Sequence, residues 1–372
     1  MRVHVVDPSA YTPPYDHALC TALAAAGADV ELVTSRFAYG PVAPARGYRR
    51  VESFYRVSGR IAGSGAVAQR ARRALKLAEH VPDMLRYRRA ALAADVVHFQ
   101  WLSVQQLDGR LLPRGRPLVL TAHDVLPREG SARRRAAQRA LYQRFDAVVA
   151  HSEHGRARLI DELGVDAERV HVIPHGAFAH LADRSEIGQP ETPPPFVTDK
   201  RVVLFFGLLR PYKGIDVLLD AWRGIDDAEL WIVGMPRMDI SALRASAPPG
   251  VRFVPRFITD EQLPQYFRRA DLVVLPYREI EQSGVLFTAL AFGKPLLLSD
   301  VGGFAEVAAL GGAHSVAPGD ARALRAALTE LLADPAKLDA LATRARQLAT
   351  GEYGWDGIAR RTLALYQQLL GA

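Results

Sequence analysis

The chain has 372 residues, of which 49% are hydrophobic and 23% charged, and this length and composition predict two globular domains. Its single cysteine, Cys20, excludes an intramolecular disulfide and a cysteine-rich metal site, and we expect it to fill core space on a helix. The formal net charge of +7 is compatible with an anionic partner. No apolar run approaches the roughly 18 residues of a membrane span and the N-terminus has no signal-peptide pattern, so a cytoplasmic location is expected.

Short apolar strands alternate with helical stretches through the first half of the chain. A helix is expected near 16–27, ending at Gly27. The predicted strands lie at 3–9, 30–35, 96–101, 118–124, 147–152 and 170–176. This alternation predicts a parallel sheet that binds ligands at the carboxyl ends of its strands.

A second series of the same kind follows a polar, proline-rich segment. The segment 181–200 is interpreted as a linker between two domains, 1–180 and 201–354. The later strands are predicted at 201–207, 228–234, 251–256, 271–277, 295–300 and 314–318, with a helix near 320–333. Residues 355–370 form an amphipathic pattern. The fold class is therefore α/β, with two doubly wound, Rossmann-like parallel-sheet domains that face each other across a cleft.

Positive charge is concentrated in the first domain. Residues 1–180 contain 26 Lys and Arg against 17 Asp and Glu, whereas the remainder contains 21 against 23. The excess lies in 56–89 and 128–144. A solvated face, an anionic lipid or glycan surface and nucleic acid are the alternatives, and no zinc spacing or ribonucleoprotein motif favours nucleic acid. No nucleic-acid partner is expected, while an anionic membrane surface remains a possible one.

An anion site is predicted in the turn after the strand at 201–207. Neither half contains the glycine pattern of a dinucleotide fold or of a P-loop, so these nucleotide-binding classes lose support. Instead a strand ends at Gly207, the turn contains Arg210 and Lys213, and a helix begins near Gly214. Two cations beside a helix N-terminus suit a phosphate group. Two solvated loop cations are the alternative.

A second helix N-terminus follows a neighbouring strand, in the segment EIEQSGVLFTALAFGKP at 279–295. Ser283 is a candidate N-cap and Gly293 a candidate residue after the C-cap. Free backbone amides of Ser283, Gly284 and Val285 would point to the same sheet edge as the two cations. The loop 301–307 adds flexible backbone and an acid, Glu306.

Several stretches together resemble the family 4 glycosyltransferases of the GT-B fold. The resemblance is carried by RPYKGIDVLLDAW, LPYREIEQSGVLFTALAFGKPLLLSDVGGFAEV, HSEHGRARLIDELGVDAERVHVIPHGAF, TAHDVLP and DVVHFQW. It implies retaining transfer of a sugar from a nucleotide-sugar donor, UDP- or GDP-linked, without a metal or other cofactor. It also implies a donor on the C-terminal domain, an acceptor on the N-terminal domain, and a terminal helix, 355–372, that crosses back to the first domain.

The resemblance assigns roles to individual residues. Arg210 and Lys213 match the pair that holds the donor diphosphate, and His123 matches a histidine near the transferred sugar. Glu281, with the turn at 283–285, lies in the loop that contacts the sugar and distal phosphate. Thr288 departs from the pattern, because the family usually has a ribose-binding glutamate there and a hydroxyl offers fewer contacts.

Four further residues are candidates for the acceptor or the cleft. Asp16 lies where such enzymes meet their substrates, although an N-cap role is an alternative. Tyr11 and Tyr15 either stack on an acceptor or pack the loop, and His175 is a candidate cleft contact. Two other histidines, at 98 and 151, are expected to make structural hydrogen bonds.

The sequence thus predicts a retaining, metal-independent glycosyltransferase that builds a cell-surface polysaccharide or glycolipid. Its partners would be the nucleotide sugar and a glycan or lipid-linked acceptor, and its location cytoplasmic or peripheral on the inner face of the membrane. Two alternatives remain open at this point. One is another GT-B enzyme such as a nucleotide-sugar epimerase, and the other is a non-catalytic protein that has kept the fold.

Overall fold

The computed structural model describes residues 1–61, 66–125, 132–183 and 196–371. The chain divides into two compact units. The first comprises Met1–Pro174 and Trp355–Ala372, and the second comprises His175–Gly354. Most of the segment interpreted as a linker, 184–195, lies outside the described residues.

The first unit is built on a seven-stranded parallel sheet with the order β3-β2-β1-β4-β5-β6-β7. The strands are β1 Arg2–Asp7, β2 Asp29–Ser35, β3 Arg49–Phe54, β4 Val96–Phe99, β5 Leu118–Thr121, β6 Ala147–Ala150 and β7 Val170–Val172. The helices between them are α1 Pro13–Ala25, α2 Ala66–Ala90, α3 Gln105–Leu111, α4 Ala132–Tyr142 and α5 Glu153–Asp161. The central strands are buried throughout because helices cover both faces of a doubly wound sheet, which explains their continuous apolar sequences.

The second unit repeats this architecture with a six-stranded parallel sheet, ordered β10-β9-β8-β11-β12-β13. Its strands are β8 Arg201–Phe206, β9 Ala228–Val233, β10 Val251–Val254, β11 Leu272–Leu275, β12 Leu296–Ser299 and β13 His314–Val316. Its helices are α6 Ala179–Ala182, α7 Ile215–Trp222, α8 Ser241–Ala245, α9 Leu263–Arg269, α10 Gly284–Ala291, α11 Gly303–Ala309, α12 Ala321–Ala333 and α13 Pro335–Thr350. The prediction of two doubly wound parallel-sheet units is confirmed.

The C-terminal helix α14, Trp355–Gly371, belongs to the first unit, as the sequence predicted. It packs against α1, where the Trp355 and Tyr15 ring centroids are 5.3 Å apart. The hydroxyl of Tyr366 lies 2.6 Å from Nδ1 of His98, at the end of β4. His98 also contacts the Thr121 hydroxyl through Nε2 at 2.7 Å, so its expected role in structural hydrogen bonding is confirmed.

Three local expectations were incomplete or wrong. The first helix begins at Pro13 rather than near residue 16, because a proline suits the first turn, and Thr12 is the N-cap. Asp16 therefore lies inside the helix, and the N-cap role considered for it is wrong. The edge strand β3 was missed because its sequence, RRVESF, is charged and only partly buried. Cys20 is buried on α1, as expected.

Each sheet has one place where the strand order reverses direction. In the first unit β1 lies between β2 and β4, and in the second unit β8 lies between β9 and β11. Adjacent crossovers leave in opposite directions at such points, which opens a crevice at the carboxyl ends of the two strands. The loops after β1 and β4, and those after β8 and β11, are therefore the places to look for ligand-binding groups.

Candidate active site

The loop after β8 brings a glycine, a lysine and the start of α10 together. Gly207 has φ +114, and a Cβ there would lie 2.9 Å from Nζ of Lys213 and 3.1 Å from Cγ2 of Val285. Lys213 is only 6% exposed, and its ammonium lies 4.7 Å from the centroid of the Tyr277 ring. The two segments predicted to form an anion site therefore meet within this unit.

The turn that carries Lys213 is fixed by the loop after β11. The backbone N–H of Arg278 donates to the carbonyl of Tyr212 at 2.8 Å, and its Nη1 donates to the carbonyl of Pro211 at 3.0 Å. The same guanidinium pairs with Asp216, and this hydrogen bond lowers the pKa of that carboxyl. These contacts position the short 3₁₀ turn Pro211–Lys213 and so orient the buried ammonium.

Gly214 lets the turn pass close to a neighbouring backbone. It has φ +67, and a Cβ there would lie 2.0 Å from the carbonyl oxygen of Pro276. Any other residue would be strained by the left-handed conformation and would collide with that carbonyl. Arg210, at the start of the turn, is exposed and has no carboxylate within salt-bridge distance among the described residues. Its guanidinium is therefore available to an anionic ligand.

Helix α10 begins where the sequence indicated, with Ser283 as N-cap and Gly293 in the left-handed conformation after its end. The Ser283 hydroxyl makes no capping bond, and its backbone N–H donates to Oε1 of Gln282 at 3.2 Å. The amides of Gly284 and Val285 have no acceptor in the described part of the chain. Two of the three predicted amides are thus open to a ligand, and the third is held by a side chain that a ligand could displace.

Thr288 occupies the position where the resemblance led us to expect a ribose-binding glutamate. Its side chain is buried, and its hydroxyl donates to the carbonyl of Gly284 at 2.9 Å. The proton of this hydroxyl is therefore used inside α10, and only its oxygen lone pairs remain for a ligand. Glu281 is also buried, in the loop that leads into the helix, whereas Glu279 is exposed.

The loop before α10 packs against the start of α11. Gly302 has φ +50, and a Cβ there would lie 1.8 Å from the carbonyl oxygen of Ile280. The N–H of Gly303 donates to the carbonyl of Glu281 at 3.2 Å. The segment 301–307 is not simply the flexible loop expected from its glycines, because α11 starts at Gly303 and holds Glu306 in its first turn.

In the first unit, His123 follows β5 and is surrounded by aromatic rings. It stacks on Trp101 with centroids 4.9 Å apart and an interplanar angle of 11°, and it meets the edge of Tyr15 at 4.8 Å. Its Nδ1 lies 3.3 Å from Nε2 of His151, and its Nε2 lies 3.1 Å from Oε1 of Gln100. The imidazole is thus held in one orientation at the carboxyl edge of the sheet.

These contacts constrain the proton on His123. Burial lowers the pKa of His151 to about 4, so this ring is neutral near pH 7. Its Nδ1 faces the carbonyl of Ile173 at 3.0 Å and must donate there, which leaves Nε2 as an acceptor. His123 therefore donates from Nδ1. Its Nε2 faces Oε1 of Gln100, and turning that amide over would let its NH₂ group, which is otherwise buried without a partner, donate to Nε2.

The other candidates of the first unit differ in exposure. Tyr15 is buried in α1 against His123, His151 and Trp355, whereas Tyr11 is 55% exposed and meets Trp101 edge-on at 5.3 Å. Asp16 is fully buried beside Asp7, and this burial raises the pKa of both carboxyls. Asp7 accepts backbone N–H groups from Tyr11 and Thr12, which favours charge on Asp7 and the shared proton on Asp16.

His175 lies in the second unit, where it is buried and stacks on Phe287 of α10 with centroids 4.3 Å apart. Its Nδ1 lies 2.8 Å from the carbonyl oxygen of Gly176. The ring therefore supports α10 from within the unit.

Sequence reasoning missed four residues that complete these sites. Gln100 and Trp101 follow β4, and Tyr277 and Arg278 follow β11. Their positions directly after buried strands were the available signal, since the carboxyl ends of parallel strands meet at one edge of a sheet. Their roles depend on side-chain contacts with distant segments, which spacing does not reveal.

No group of three or more His, Cys, Asp and Glu residues comes together among the described residues in a way that could hold a metal ion. No described helix is both long enough and apolar enough to cross a bilayer.

Comparison with known proteins agrees with this organisation. Residues 15–177 match the family model Glycosyltransferase Family 4, and residues 200–334 match the model Glycosyl transferases group 1. A D-inositol 3-phosphate glycosyltransferase 1 of Catenulispora acidiphila is 31% identical over 307 residues, covering 74% of this chain and 72% of that protein. A GDP-mannose:glycolipid 4-beta-D-mannosyltransferase of Xanthomonas campestris pv. campestris is 29% identical, over 58% of this chain and 64% of the relative.

Solved glycosyltransferase structures have the same fold. Sucrose-phosphate synthase from Thermosynechococcus elongatus superimposes with a TM-score of 0.74 at 22% identity, covering 100% of this chain and 99% of that one. Anabaena Alr3699/HepE in complex with UDP-glucose gives a TM-score of 0.71 at 19% identity, covering 99% and 100%. Together with the family models and the relatives, they show that the chain is a glycosyltransferase of the GT-B fold and belongs to glycosyltransferase family 4.

Proposed function

We propose that this glycosyltransferase transfers a sugar, with retention of configuration and without a metal ion, from a UDP- or GDP-sugar to a glycan or lipid-linked acceptor. The observation that carries the proposal is the position of Lys213. Its buried ammonium lies beside Gly207 and the first turn of α10, where two backbone amides are open. A buried cation next to a helix N-terminus is suited to the diphosphate of a nucleotide sugar.

The main chemical requirement is to stabilise the charge that develops on the leaving diphosphate. Lys213 supplies a positive charge that is already desolvated, and Arg210 supplies an exposed guanidinium at the other end of the same turn. The open amides of Gly284 and Val285 add two oriented donors. Donors that are fixed before the reaction need no reorganisation as the charge builds up, which makes this arrangement effective for catalysis.

The nucleotide and the sugar are proposed from the relatives. The Anabaena protein was solved with UDP-glucose, and the Xanthomonas relative is named for GDP-mannose, so both nucleotides are candidates for this donor. Thr288 offers lone pairs in place of a ribose-binding carboxylate. The buried Glu281 and the half-buried Glu306 are the candidate acids of the segments that follow β11 and β12.

Retention is proposed to follow same-face attack, in which the departing phosphate accepts the proton of the acceptor hydroxyl. None of the candidate residues is a clear nucleophile for a covalent intermediate. His123, held by Trp101 and His151 and half-buried, is proposed to contact the reacting sugar. Asp16 is proposed to keep the substrate loop after β1 in place, because it shares a proton with Asp7 beneath that loop.

The central test is Lys213→Met, compared with Lys294→Met. Lys294 is a half-buried lysine of the same unit whose Nζ donates to the Arg268 carbonyl at 2.9 Å, so its removal controls for the loss of one lysine. Because a charge-assisted hydrogen bond contributes about 1.5–3 kcal/mol, Lys213→Met is expected to weaken UDP or GDP binding about 10- to 100-fold. Titration calorimetry and transfer assays with the two nucleotide sugars measure both effects.

Three results would contradict the proposal. Near-normal turnover of Lys213→Met would show that Lys213 does not bind the donor diphosphate. Epimerised or eliminated sugar formed from the donor without acceptor would indicate an epimerase. Lack of any nucleotide diphosphate binding by the wild-type protein would indicate a non-catalytic member of the fold.

We also propose that α2 docks on the inner face of an anionic membrane, where the cytoplasmic enzyme would meet a lipid-linked acceptor. Leu77, Val81 and Leu85 follow one another at intervals of four residues and are 54%, 37% and 43% exposed. Exposed Arg73 and Arg89 flank this apolar stripe along the helix. An apolar face bordered by arginines is typical of a helix that lies in a membrane interface.

Vesicle co-sedimentation tests this surface. Leu77→Glu is expected to reduce recovery with phosphatidylglycerol vesicles, whereas Leu310→Glu, at a leucine of the second unit that is 39% exposed, is expected to leave it unchanged. Equal recovery of the wild-type protein with phosphatidylglycerol and phosphatidylcholine vesicles would contradict the proposal.

A further inference from the structure

A polar cluster that the donor site and the histidines do not use lies at the switch point of the first sheet. Ser9 follows β1, Ser103 follows β4, and Lys76 approaches both from α2. Nζ of Lys76 donates to Oγ of Ser9 at 2.8 Å, and the two serine hydroxyls are 2.6 Å apart. An ammonium and two hydroxyls therefore converge where a doubly wound sheet binds its ligand.

Lys76 has no counter-ion in this position. No carboxylate among the described residues lies within salt-bridge distance, and its only hydrogen-bond partner there is the neutral Ser9. The ammonium lies 4.6 Å from the Tyr55 ring centroid and 5.6 Å from that of Tyr11. Burial lowers the pKa of Lys76. The nearby Asp7 carboxylate acts in the opposite direction and raises this pKa, but it forms no salt bridge with Lys76 and accepts the amides of the β1 loop.

The ring beneath the ammonium is held rigidly. Oδ1 of Asp108 accepts a hydrogen bond from Nε2 of His80 at 2.6 Å, which leaves Nδ1 of that ring to accept the Tyr55 hydroxyl proton at 2.7 Å. All three side chains are buried. A fixed supporting chain of this kind keeps the ammonium in one place before any ligand arrives.

The cluster is connected to His123 by an aromatic surface. Tyr11 lies beside Lys76, its ring centroid is 5.3 Å from that of Trp101, and Trp101 stacks on His123 at 4.9 Å. Nε1 of Trp101 donates to the Thr12 hydroxyl at 2.9 Å, which fixes the indole. A ligand held at Lys76 could thus lay a sugar or polyol ring along Tyr11 and Trp101, with a hydroxyl near the histidine.

We propose that Lys76, Ser9 and Ser103 bind a phosphate group on the acceptor, so that the enzyme glycosylates a phosphorylated sugar, polyol or lipid headgroup. This inference rests on the proposed function, since it assigns the acceptor of the same reaction. A compact ammonium with two hydroxyl donors, and no guanidinium fork, suits the tetrahedral oxygens of a phosphate better than a planar carboxylate. The ammonium of Lys76, which forms no salt bridge within the described residues, then pairs with the substrate.

Inorganic phosphate is the probe for this site. The donor site also attracts phosphate, so binding is measured by titration calorimetry in full-length Arg210→Met/Lys213→Met protein. Adding Lys76→Met is expected to weaken phosphate binding at least about tenfold, because a charge-assisted contact is lost while the apolar stem still covers the tyrosines. Ser103→Ala is expected to weaken it by a smaller factor.

The matched control is Arg70→Met, which removes one exposed positive charge from the same helix. Its effect is expected to stay within about twofold, since an exposed charge contributes little. Equal phosphate affinity with and without Lys76→Met, in variants that keep the melting temperature, would overturn the proposal. So would an equal loss in Arg70→Met, which would indicate general electrostatic attraction.

Two further arms identify the source of the phosphate and separate this inference from the proposed function. Weaker binding of Lys76→Met to phosphatidic acid vesicles would indicate that the phosphate belongs to a lipid. A defect in the binding of inorganic phosphate alone would indicate a soluble acceptor. In an otherwise wild-type background, Lys76→Met is expected to leave UDP or GDP binding unchanged. If Lys76→Met loses nucleotide binding as well as phosphate binding, the acceptor site is refuted. If the wild-type protein binds phosphate at Lys76 but binds no nucleotide, the proposed donor is refuted instead.

Discussion

Replacing Gly207 by alanine should damage the proposed donor site through two effects that can be measured separately. The first is backbone strain, because φ +114 is a conformation that residues with a Cβ rarely adopt. Such strain amounts to about 1–3 kcal/mol. For a unit of the size of His175–Gly354, each kcal/mol lowers the melting temperature by about 2–4 °C.

The second effect is local to the anion site. The new Cβ would lie 2.9 Å from Nζ of Lys213 and 3.1 Å from Cγ2 of Val285, which are closer than ordinary contacts. The ammonium has to move, since the lysine chain is flexible and the helix backbone is not. If the charge-assisted contact with a diphosphate is lost, the affinity for UDP or GDP should fall about 10- to 100-fold.

Gly224→Ala is the matched control for this variant. Gly224 has φ +83, and a Cβ there would meet nothing within 4 Å, so the substitution introduces strain without a contact at the site. Thermal unfolding and titration with UDP and GDP should show that both variants lose stability but only Gly207→Ala loses nucleotide affinity. Unchanged affinity in Gly207→Ala, or an equal loss in Gly224→Ala, would refute the reasoning.

Two further predictions concern buried rings. Burial lowers the pKa of His98 to about 3, so below pH 6.5 the unfolded chain binds a proton that the folded chain does not, and stability falls as the pH falls. In chemical unfolding from pH 6 to 4, the wild-type slope should exceed that of His98→Asn by up to about 1.4 kcal/mol per pH unit, and equal slopes would contradict a neutral histidine. Phe287 is fully buried against His175, so Phe287→Ala should destabilise the second unit by about 3–5 kcal/mol in urea unfolding, and a loss below about 1 kcal/mol would show that the stacked pair does not support α10.

Elements that depend only on neighbouring residues could be predicted from the sequence alone. The buried strands of both sheets, the helix start at Ser283 and the left-handed Gly293 depend on nearby apolar runs and caps, and the structure has them where the pattern indicated. The two-unit α/β architecture also followed, because alternating strands and helices permit few other arrangements. The edge strand β3 could not be predicted in this way, since its charged segment is held extended mainly by its hydrogen-bonded pairing with β2.

The chemistry of individual side chains was decided by tertiary contacts. Lys213 and Arg210 look alike in sequence, yet one is buried over Tyr277 and the other is exposed. Lys76 is one of many basic residues in its segment, and only the convergence of α2 with the loops after β1 and β4 places its ammonium between two tyrosines and against Ser9. The sequence by itself determined which elements form and which cations follow β8. Burial and hydrogen-bond partners arise between residues far apart in the chain, so only the folded structure determined which charges are desolvated and poised to bind a ligand.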